Sequence, residues 1–144
     1  MIINNTEDLS ASIPDLDLIE QLKLATKDLL WLSESDYPFQ VYYFQNAAKF
    51  STNKLLQEHN FPPETKIAIK QFLSFFASAI REEVWHDESD KVEARRYQSL
   101  VNLMSESLTN IKVHLLGEVE IEVYILGETV HNAIAGITTK IVQT

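Results

Sequence analysis

The clearest pattern of hydrophobic and polar positions lies in the last quarter of the chain. Between residues 118 and 125 every second residue is apolar, and these residues are Val119, Ile121, Val123 and Ile125. A period of two gives a β-strand one apolar face and one wetter face, the latter with three glutamates and Tyr124. Similar alternation occurs at 111–116 and 134–142, and a polar connection starts at Gly127. The pattern predicts three antiparallel strands.

All three glycines of the protein lie in this region. Gly117 stands between two strand patterns, which is typical of a tight turn that needs a positive φ. Gly136 lies inside a predicted strand, where the missing side chain indicates either a bulge or the close approach of another backbone.

A helical spacing of apolar residues begins at Asp15. One stripe of the predicted helix holds Leu18, Leu22, Ala25 and Leu29. Ser12 or Asp15 can cap its start. The helix is predicted to end near Leu32, because the following residues, 33–38, are rich in serine and aspartate and include a proline. Residues 33–38 are therefore predicted to form a turn.

The middle of the chain predicts a mixture of strands and helices. Residues 39–44 are dense in aromatic and β-branched side chains, which favours a strand inside a sheet. A short helix capped at Ser51 or Thr52 follows. Residues 66–70 alternate and predict an edge strand whose lysines oppose stray pairing. Residues 71–80 have helical spacing, and the alternative is a helix that also includes 66–70.

The most regular helical pattern follows a cap at Asp87 or Ser89. Its apolar stripe consists of Val92, Tyr97, Leu100, Val101, Met104 and Leu108. The preceding segment, 81–90, is polar and contains Trp85. Such a ring either packs on the core or is an exposed anchor for a partner, and composition favours the core. His114 occupies a polar strand position and is predicted to lie on the surface.

The order of predicted elements gives an α+β fold in which helices flank a mostly antiparallel sheet. The strict alternation of strands and helices that a doubly wound fold needs is missing. A chain of 144 residues is expected to form one domain with a sizeable core. We expect residues 1–14 to be a flexible N-terminus and residues 15–144 to be a single domain.

Composition limits the classes of function. The formal net charge of −9 opposes binding to nucleic acid, because phosphate contacts depend on lysine and arginine. The same charge attracts a basic partner, including one that itself binds DNA. Cysteine is absent, no apolar run reaches the ~20 residues of a membrane span, and the N-terminus has no basic signal-peptide region. We expect a cytoplasmic protein without direct nucleic-acid or membrane binding.

Catalytic motifs are missing from the sequence. It contains no glycine-rich phosphate loop, no Gly-x-Ser-x-Gly elbow, no His-Glu-x-x-His pair and no cysteine cluster. His86, Asp87 and Glu88 could coordinate a metal, but adjacent residues seldom face one point, and a solvated helix cap is the favoured interpretation. We therefore expect the protein not to be an enzyme.

Three segments resemble the cyanobacterial nuclease A inhibitor family. They are LLWLSESDYPF at 29–39, LGEVEIEVYILGET at 116–129 and AGITTKIVQT at 135–144. The resemblance extends from about Asp17 to the last residue and is weakest in 46–90. It implies a three-layer α/β/α sandwich that is PR-1-like, that is, similar to the plant pathogenesis-related PR-1 fold.

The same resemblance implies a function. Members of the family inhibit a sugar-non-specific, magnesium-dependent nuclease with a ββα-metal active site by occupying its substrate cleft. Glu34 in the Ser-Glu-Ser turn, Trp85 in the mid-chain loop and Thr144 match partner-binding residues of the family, and the terminal threonine approaches the nuclease metal. The expected partner is a non-specific nuclease in a 1:1 complex, and no cofactor is expected.

The sequence departs from the family pattern next to the tryptophan. The preceding residue is acidic in the family, and here it is Val84. Glu82, Glu83 or Asp87 could supply the missing charge. The alternative function is a non-catalytic interaction module of the same fold with a non-nuclease partner.

Overall fold

The computed structural model describes residues 14–143 and the backbone of residues 2–3. In that part of the chain the strands are β1 (Ile2–Ile3), β2 (Leu30–Leu32), β3 (Asp36–Pro38), β4 (Gln40–Phe44), β5 (Ile67–Gln71), β6 (Thr109–Leu116), β7 (Glu120–Glu128) and β8 (Ile134–Val142). The helices are α1 (Leu16–Thr26), α2 (Thr52–Glu58), α3 (Phe72–Phe76) and α4 (Glu88–Ser107), with a short 3-10 helix at Ala47–Lys49. The predicted flexible terminus, 1–14, lies almost entirely outside the described residues.

Six strands form one sheet in the order β1-β4-β8-β7-β6-β5, and all of its pairings are antiparallel. β2 and β3 pair with each other as a separate hairpin. The three strands predicted at the C-terminal end of the chain are neighbours in the sheet, and β5 is an edge strand, as the alternation at 66–70 predicts. The α+β class is therefore confirmed.

Helices cover both faces of the sheet. On one face, buried side chains of α1, α3 and α4 pack on β4, β6, β7 and β8; they are Ile19, Leu22, Phe72, Phe76, Tyr97, Leu100, Val101 and Met104. On the other face, Leu55 and Leu56 of α2 form a second cluster with Tyr42 and Tyr124. The molecule thus has three layers, as a sandwich requires.

The second cluster corrects two predictions about wet strand positions. Tyr124 is only 1% exposed, and His114 on the neighbouring strand is only 7% exposed. Ile121, Val123 and Ile125 share the buried face that the alternation predicts, but Val119 lies before β7 and is 54% exposed. The alternation also could not show that α2 covers the more polar face. His114 Nδ1 lies 3.3 Å from the Thr52 hydroxyl at the start of that helix.

Burial makes His114 a source of acid sensitivity. Desolvation first, and then repulsion from Lys112, lowers the pKa of His114 from its ordinary 6.5 to about 4. Between those pH values the unfolded chain takes up a proton that the folded protein excludes. The stability conferred by the neutral ring is complete above pH 6.5 and falls as the pH drops toward 4.

We expect His114→Gln to flatten the pH dependence of stability between pH 6.5 and 4. One excluded proton adds at most ~1.4 kcal/mol per pH unit to the slope of the free energy of unfolding against pH. Urea unfolding of both proteins at several pH values in this window measures the difference, because the carboxylates titrate equally in both. Parallel curves for the two proteins would contradict the assignment.

Residues 27–38 differ most from the prediction. The helix from Asp15 ends at Thr26 and not near Leu32, because Asp28 adopts a left-handed φ of 59° that an α-helix cannot include. The segment predicted to be a turn is a hairpin, in which Leu30 pairs with Pro38 and Leu32 pairs with Asp36. Only residues 33–35 turn.

Three smaller corrections concern element limits and exposure. Gly127 and Glu128 belong to β7 and do not start the connection. α3 ends at Phe76, before the predicted end at residue 80. Val92 of the predicted apolar stripe is 51% exposed, whereas the rest of that stripe is buried.

Capping follows the sequence at two helices but not at α1. Asp87 caps α4 in a reciprocal capping box with Asp90, and the Ser51 hydroxyl accepts a hydrogen bond at the start of α2. The Asp15 carboxylate makes no cap hydrogen bond. It accepts instead from the Tyr43 hydroxyl at 2.9 Å and the Thr129 hydroxyl at 2.8 Å, which joins α1 to β4 and to the β7–β8 connection.

Candidate interaction surface

Glu34 lies at the exposed tip of the β2–β3 hairpin. The turn is closed by Ser33, whose hydroxyl donates to the Ser35 carbonyl oxygen at 2.8 Å. Serine favours such local side-chain-to-backbone bonds, which compete with helix formation. The family-matched Ser-Glu-Ser segment therefore presents its glutamate on a turn of defined conformation.

An aromatic anchor fixes the hairpin to the helical layer. The Trp31 ring stacks on Phe75 with ring centroids 4.6 Å apart, and its other contacts are edge-on with Phe39, Phe76 and Tyr97. The Tyr97 hydroxyl donates to the Leu30 carbonyl oxygen at 2.6 Å. Burial raises the pKa of Tyr97, so the hydroxyl keeps the proton that it donates.

The hairpin also follows the C-terminal half of β8. The Thr139 hydroxyl donates to the Pro38 carbonyl oxygen at 2.9 Å, and the Val142 amide donates to the Ser33 hydroxyl at 3.2 Å. The Glu34 amide donates to the Val142 carbonyl oxygen at 3.4 Å. Glu34 thus lies beside the last residues of β8, whereas Thr144, two positions after Val142, lies outside the described residues.

Trp85 is exposed in the connection between α3 and α4. Its side chain is 75% exposed and that of Val84 is 97% exposed, so the interpretation that Trp85 packs on the core is wrong. The connection is nevertheless held on both sides of the ring. The Glu83 amide donates to His86 Nδ1 at 3.0 Å, and Asp87 starts α4 through its capping box.

A cleft separates the hairpin from this connection. It has a volume of about 270 Å³, and its lining includes Leu32, which is two residues before Glu34, and His86, which follows Trp85. Asp90 and Glu93 of α4 also line it. The structure therefore brings the neighbours of Glu34 and Trp85 to the border of one cleft, although these two residues are far apart in sequence.

Comparison with known proteins supplies the deciding observation. The profile of the nuclease A inhibitor-like protein family matches residues 16–144. The chain belongs to the nuclease A inhibitor-like family. The match starts at the first residue of α1 and includes β2 to β8. A search of curated proteins gave no match.

Family membership gives the general function and leaves the details of this surface open. A nuclease A inhibitor-like protein is expected to act on a nuclease without catalysing a reaction of its own. Among the described residues, no group of three or more His, Asp or Glu side chains is arranged to hold a metal ion. His86 Nδ1 and the Asp87 carboxylate are both occupied by backbone amides. Within the same residues, no helix combines the length and apolar character that crossing a bilayer requires.

Two of the acids that could replace the charge missing at Val84 are engaged within the chain. Glu82 pairs with Arg95, with N···O at 3.0 Å, and Asp87 caps α4. Glu83 lies 3.9 Å from the Arg81 guanidinium, at the limit of an ion pair. Of the three carboxylates, that of Glu83 has the weakest contact within the chain. Glu83 would therefore lose the least internal stabilisation on pairing with a basic partner.

Sequence reasoning missed two parts of this surface. The helical spacing predicts Leu32 at the end of a helix, whereas in the hairpin it is 62% exposed beside the cleft. Ser33 was interpreted only as turn chemistry, and its contact with Val142 joins residues 109 positions apart. No local pattern indicates such a contact.

Proposed function

We propose that this protein inhibits a sugar-non-specific, magnesium-dependent nuclease with a ββα-metal active site, and that it does so by occupying the substrate cleft. The family match over residues 16–144 carries the proposal. The hydrogen bonds between the Glu34 turn and Val142 support it, because they hold one anionic group beside the end of the family-matched segment.

The chemistry of a nuclease cleft fits these groups. Such a cleft is basic and holds a hard cation, because it receives phosphates. Glu34 takes the place of one phosphate and pairs with arginine or lysine. The hydroxyl and carbonyl oxygens of Thr144 offer the oxygen ligands that magnesium prefers. The net charge of −9 speeds the approach to a basic surface and makes it depend on salt.

Trp85 supplies apolar contact area next to the charged groups. Tryptophan is enriched among the residues that dominate binding energy, because a large ring buries much surface and has few rotatable bonds. The cleft beside the hairpin can receive a side chain of the nuclease, and its lining favours a basic one, because Asp90 and Glu93 outnumber Arg81 there. The complex is 1:1, because a single surface of each partner is used.

The cellular role follows from this mechanism. A cytoplasmic inhibitor protects the cell's own nucleic acid from a nuclease made in the same cell. The protein itself needs no cofactor, since it acts by covering the active site.

A titration of the protein into a ββα-metal nuclease assay tests the proposal. We expect DNA cleavage to stop near one equivalent, and added magnesium not to restore it. A magnesium-dependent nuclease of a different fold is the control, because chelation of the metal would inhibit both enzymes. Undiminished cleavage at large molar excess would reject inhibition of that nuclease.

A variant with one alanine added after Thr144 should inhibit more weakly. An extra residue displaces Thr144 from the metal, and losing one contact to a charged group, worth ~1.5–3 kcal/mol, raises the inhibition constant by about tenfold or more. The melting temperature should not change. The matched control has one alanine added before Met1, and equal potency of the two variants would remove the metal contact from the mechanism.

The second candidate function is an interaction module whose partner is not a nuclease. The 97% exposed Val84, in a position that is acidic in the family pattern, favours this candidate. Affinity capture from the host lysate separates the two functions. Recovery of a nuclease supports inhibition, and reproducible recovery of a different single protein supports the module.

A further inference from the structure

The end of β8 extends beyond its neighbour β4. β4 pairs with β8 only from Ile134 to Thr138, so the residues from Thr139 to Val142 have no partner from that strand. The hairpin takes its place along this edge through Ser33, Glu34 and Pro38. On the opposite side β7 continues alongside, where Glu120 pairs with Val142 and the Gln143 amide donates to the Val119 carbonyl oxygen at 2.9 Å.

Ser33 is the side chain that closes this edge. A serine hydroxyl has one proton to donate and lone pairs that accept. The Ser33 hydroxyl uses the proton on the Ser35 carbonyl oxygen at 2.8 Å and accepts the Val142 amide proton at 3.2 Å. One hydroxyl therefore fixes the turn that bears Glu34 and ties that turn to the last strand.

We propose that Ser33 is a positioning residue, which holds the turn that bears Glu34 at a fixed spacing from Val142, so that the Glu34 carboxylate is already in position when the nuclease binds. This inference rests on the proposed function. Ser33 acts through its neighbours, and the proposal requires no contact between Ser33 and the nuclease.

The physical reason is preorganisation. Chain ends fray unless they are tied down, and fixing one residue's backbone costs conformational entropy. An inhibitor that orders its binding turn only on binding loses that entropy from its affinity. The two hydrogen bonds to Val142 hold the turn that bears Glu34 before the nuclease arrives.

Replacing Ser33 with alanine tests the proposal. We expect the inhibition constant to rise about tenfold, the effect of one hydrogen bond lost from a partly buried site. We call the two hydrogen bonds of the Ser33 hydroxyl, to Ser35 and Val142, the clamp. Ser35→Ala is the matched control, because Ser35 contributes only its main-chain carbonyl oxygen to the clamp. Ser33→Thr keeps the hydroxyl and should restore most of the potency. An inhibition constant for Ser33→Ala equal to that of Ser35→Ala would overturn the proposal.

A double-mutant cycle separates positioning from general destabilisation. In a protein that carries Glu34→Gln, Ser33→Ala should have almost no further effect on inhibition, because the charge that it positions is gone. The same tenfold loss in both backgrounds would show that Ser33 acts elsewhere and would overturn the role.

Amide hydrogen exchange tests the clamp without any nuclease. The Val142 amide should exchange faster in Ser33→Ala than in Ser35→Ala, because it loses its acceptor. Unchanged exchange would overturn the clamp itself. Faster exchange in a protein that inhibits no ββα-metal nuclease would support the clamp and reject the function that it serves, so the two failures are distinguishable.

Discussion

Replacing Gly136 with alanine is expected to destabilise the fold severely. Gly136 lies in β8 opposite Leu126 of β7, and a Cβ built there would fall against the Ile125 carbonyl oxygen and 2.9 Å from the Ile125 carbonyl carbon. The β8 backbone is hydrogen-bonded to β4 on one side and to β7 on the other, so it cannot move away from the added Cβ without breaking these bonds. We expect a loss of at least about 4 kcal/mol, a large fraction of the 5–15 kcal/mol that stabilises a typical domain.

Thermal unfolding followed by circular dichroism measures this effect. Ala68→Val is the matched control, because it enlarges a small strand residue on the exposed edge strand β5, and it should leave the melting temperature almost unchanged. A melting temperature of Gly136→Ala within about 5 °C of the original protein would mean that the strands can separate locally, which contradicts the argument.

Gly136 also shows how far local pattern predicts this fold. An isolated glycine in an alternating strand indicates either a bulge or a close backbone approach, and the structure shows the close approach. Gly117 adopts the positive φ, 113°, that its place between two strands predicts. The β6–β8 strands and the caps at Ser51 and Asp87 were predictable for the same reason, because each depends on residues that are close in sequence.

The elements that local pattern mispredicts are those that distant residues determine. Leu29 and Leu30 continue the helical spacing of α1, yet Trp31 is held in a cluster of rings from α3 and α4. Packing of that ring outweighs the weak helical preference of a few residues. His114 was assigned to the surface because nothing in its own strand shows that α2 covers it.

The candidate surface also has parts that the sequence indicates and parts that it does not. Glu34, Trp85 and Thr144 come from the family resemblance and stay predictions, and the composition argument alone placed Trp85 in the core. What the sequence could not indicate is the cleft shared by Leu32 and His86, and the Ser33 bond to Val142, because both join segments that are distant in sequence. In the structure, segments that are distant in sequence lie next to each other, at this cleft and at this hydrogen bond.

Replacing Trp85 with alanine is expected to weaken inhibition by at least about thirtyfold, since truncation of a central interface tryptophan typically costs ~2 kcal/mol or more. The ring is 75% exposed, and its only ring contact among the described residues is with the adjacent His86. Its removal should therefore leave the melting temperature nearly unchanged. Inhibition titrations and calorimetric binding to the nuclease measure the two effects separately.

Val130→Ala is the matched control for this prediction. Val130 is an apolar residue that is 85% exposed in the β7–β8 connection. That connection lies at the opposite end of the two strands from Glu120 and Val142, and a nine-residue strand spans roughly 30 Å. Truncation there should leave inhibition unchanged, because the active-site cleft of one nuclease cannot contact both ends of the sheet. Equal losses from Trp85→Ala and Val130→Ala would contradict a specific contact at Trp85, and a loss from Val130→Ala alone would move the interface to the opposite end of the sheet.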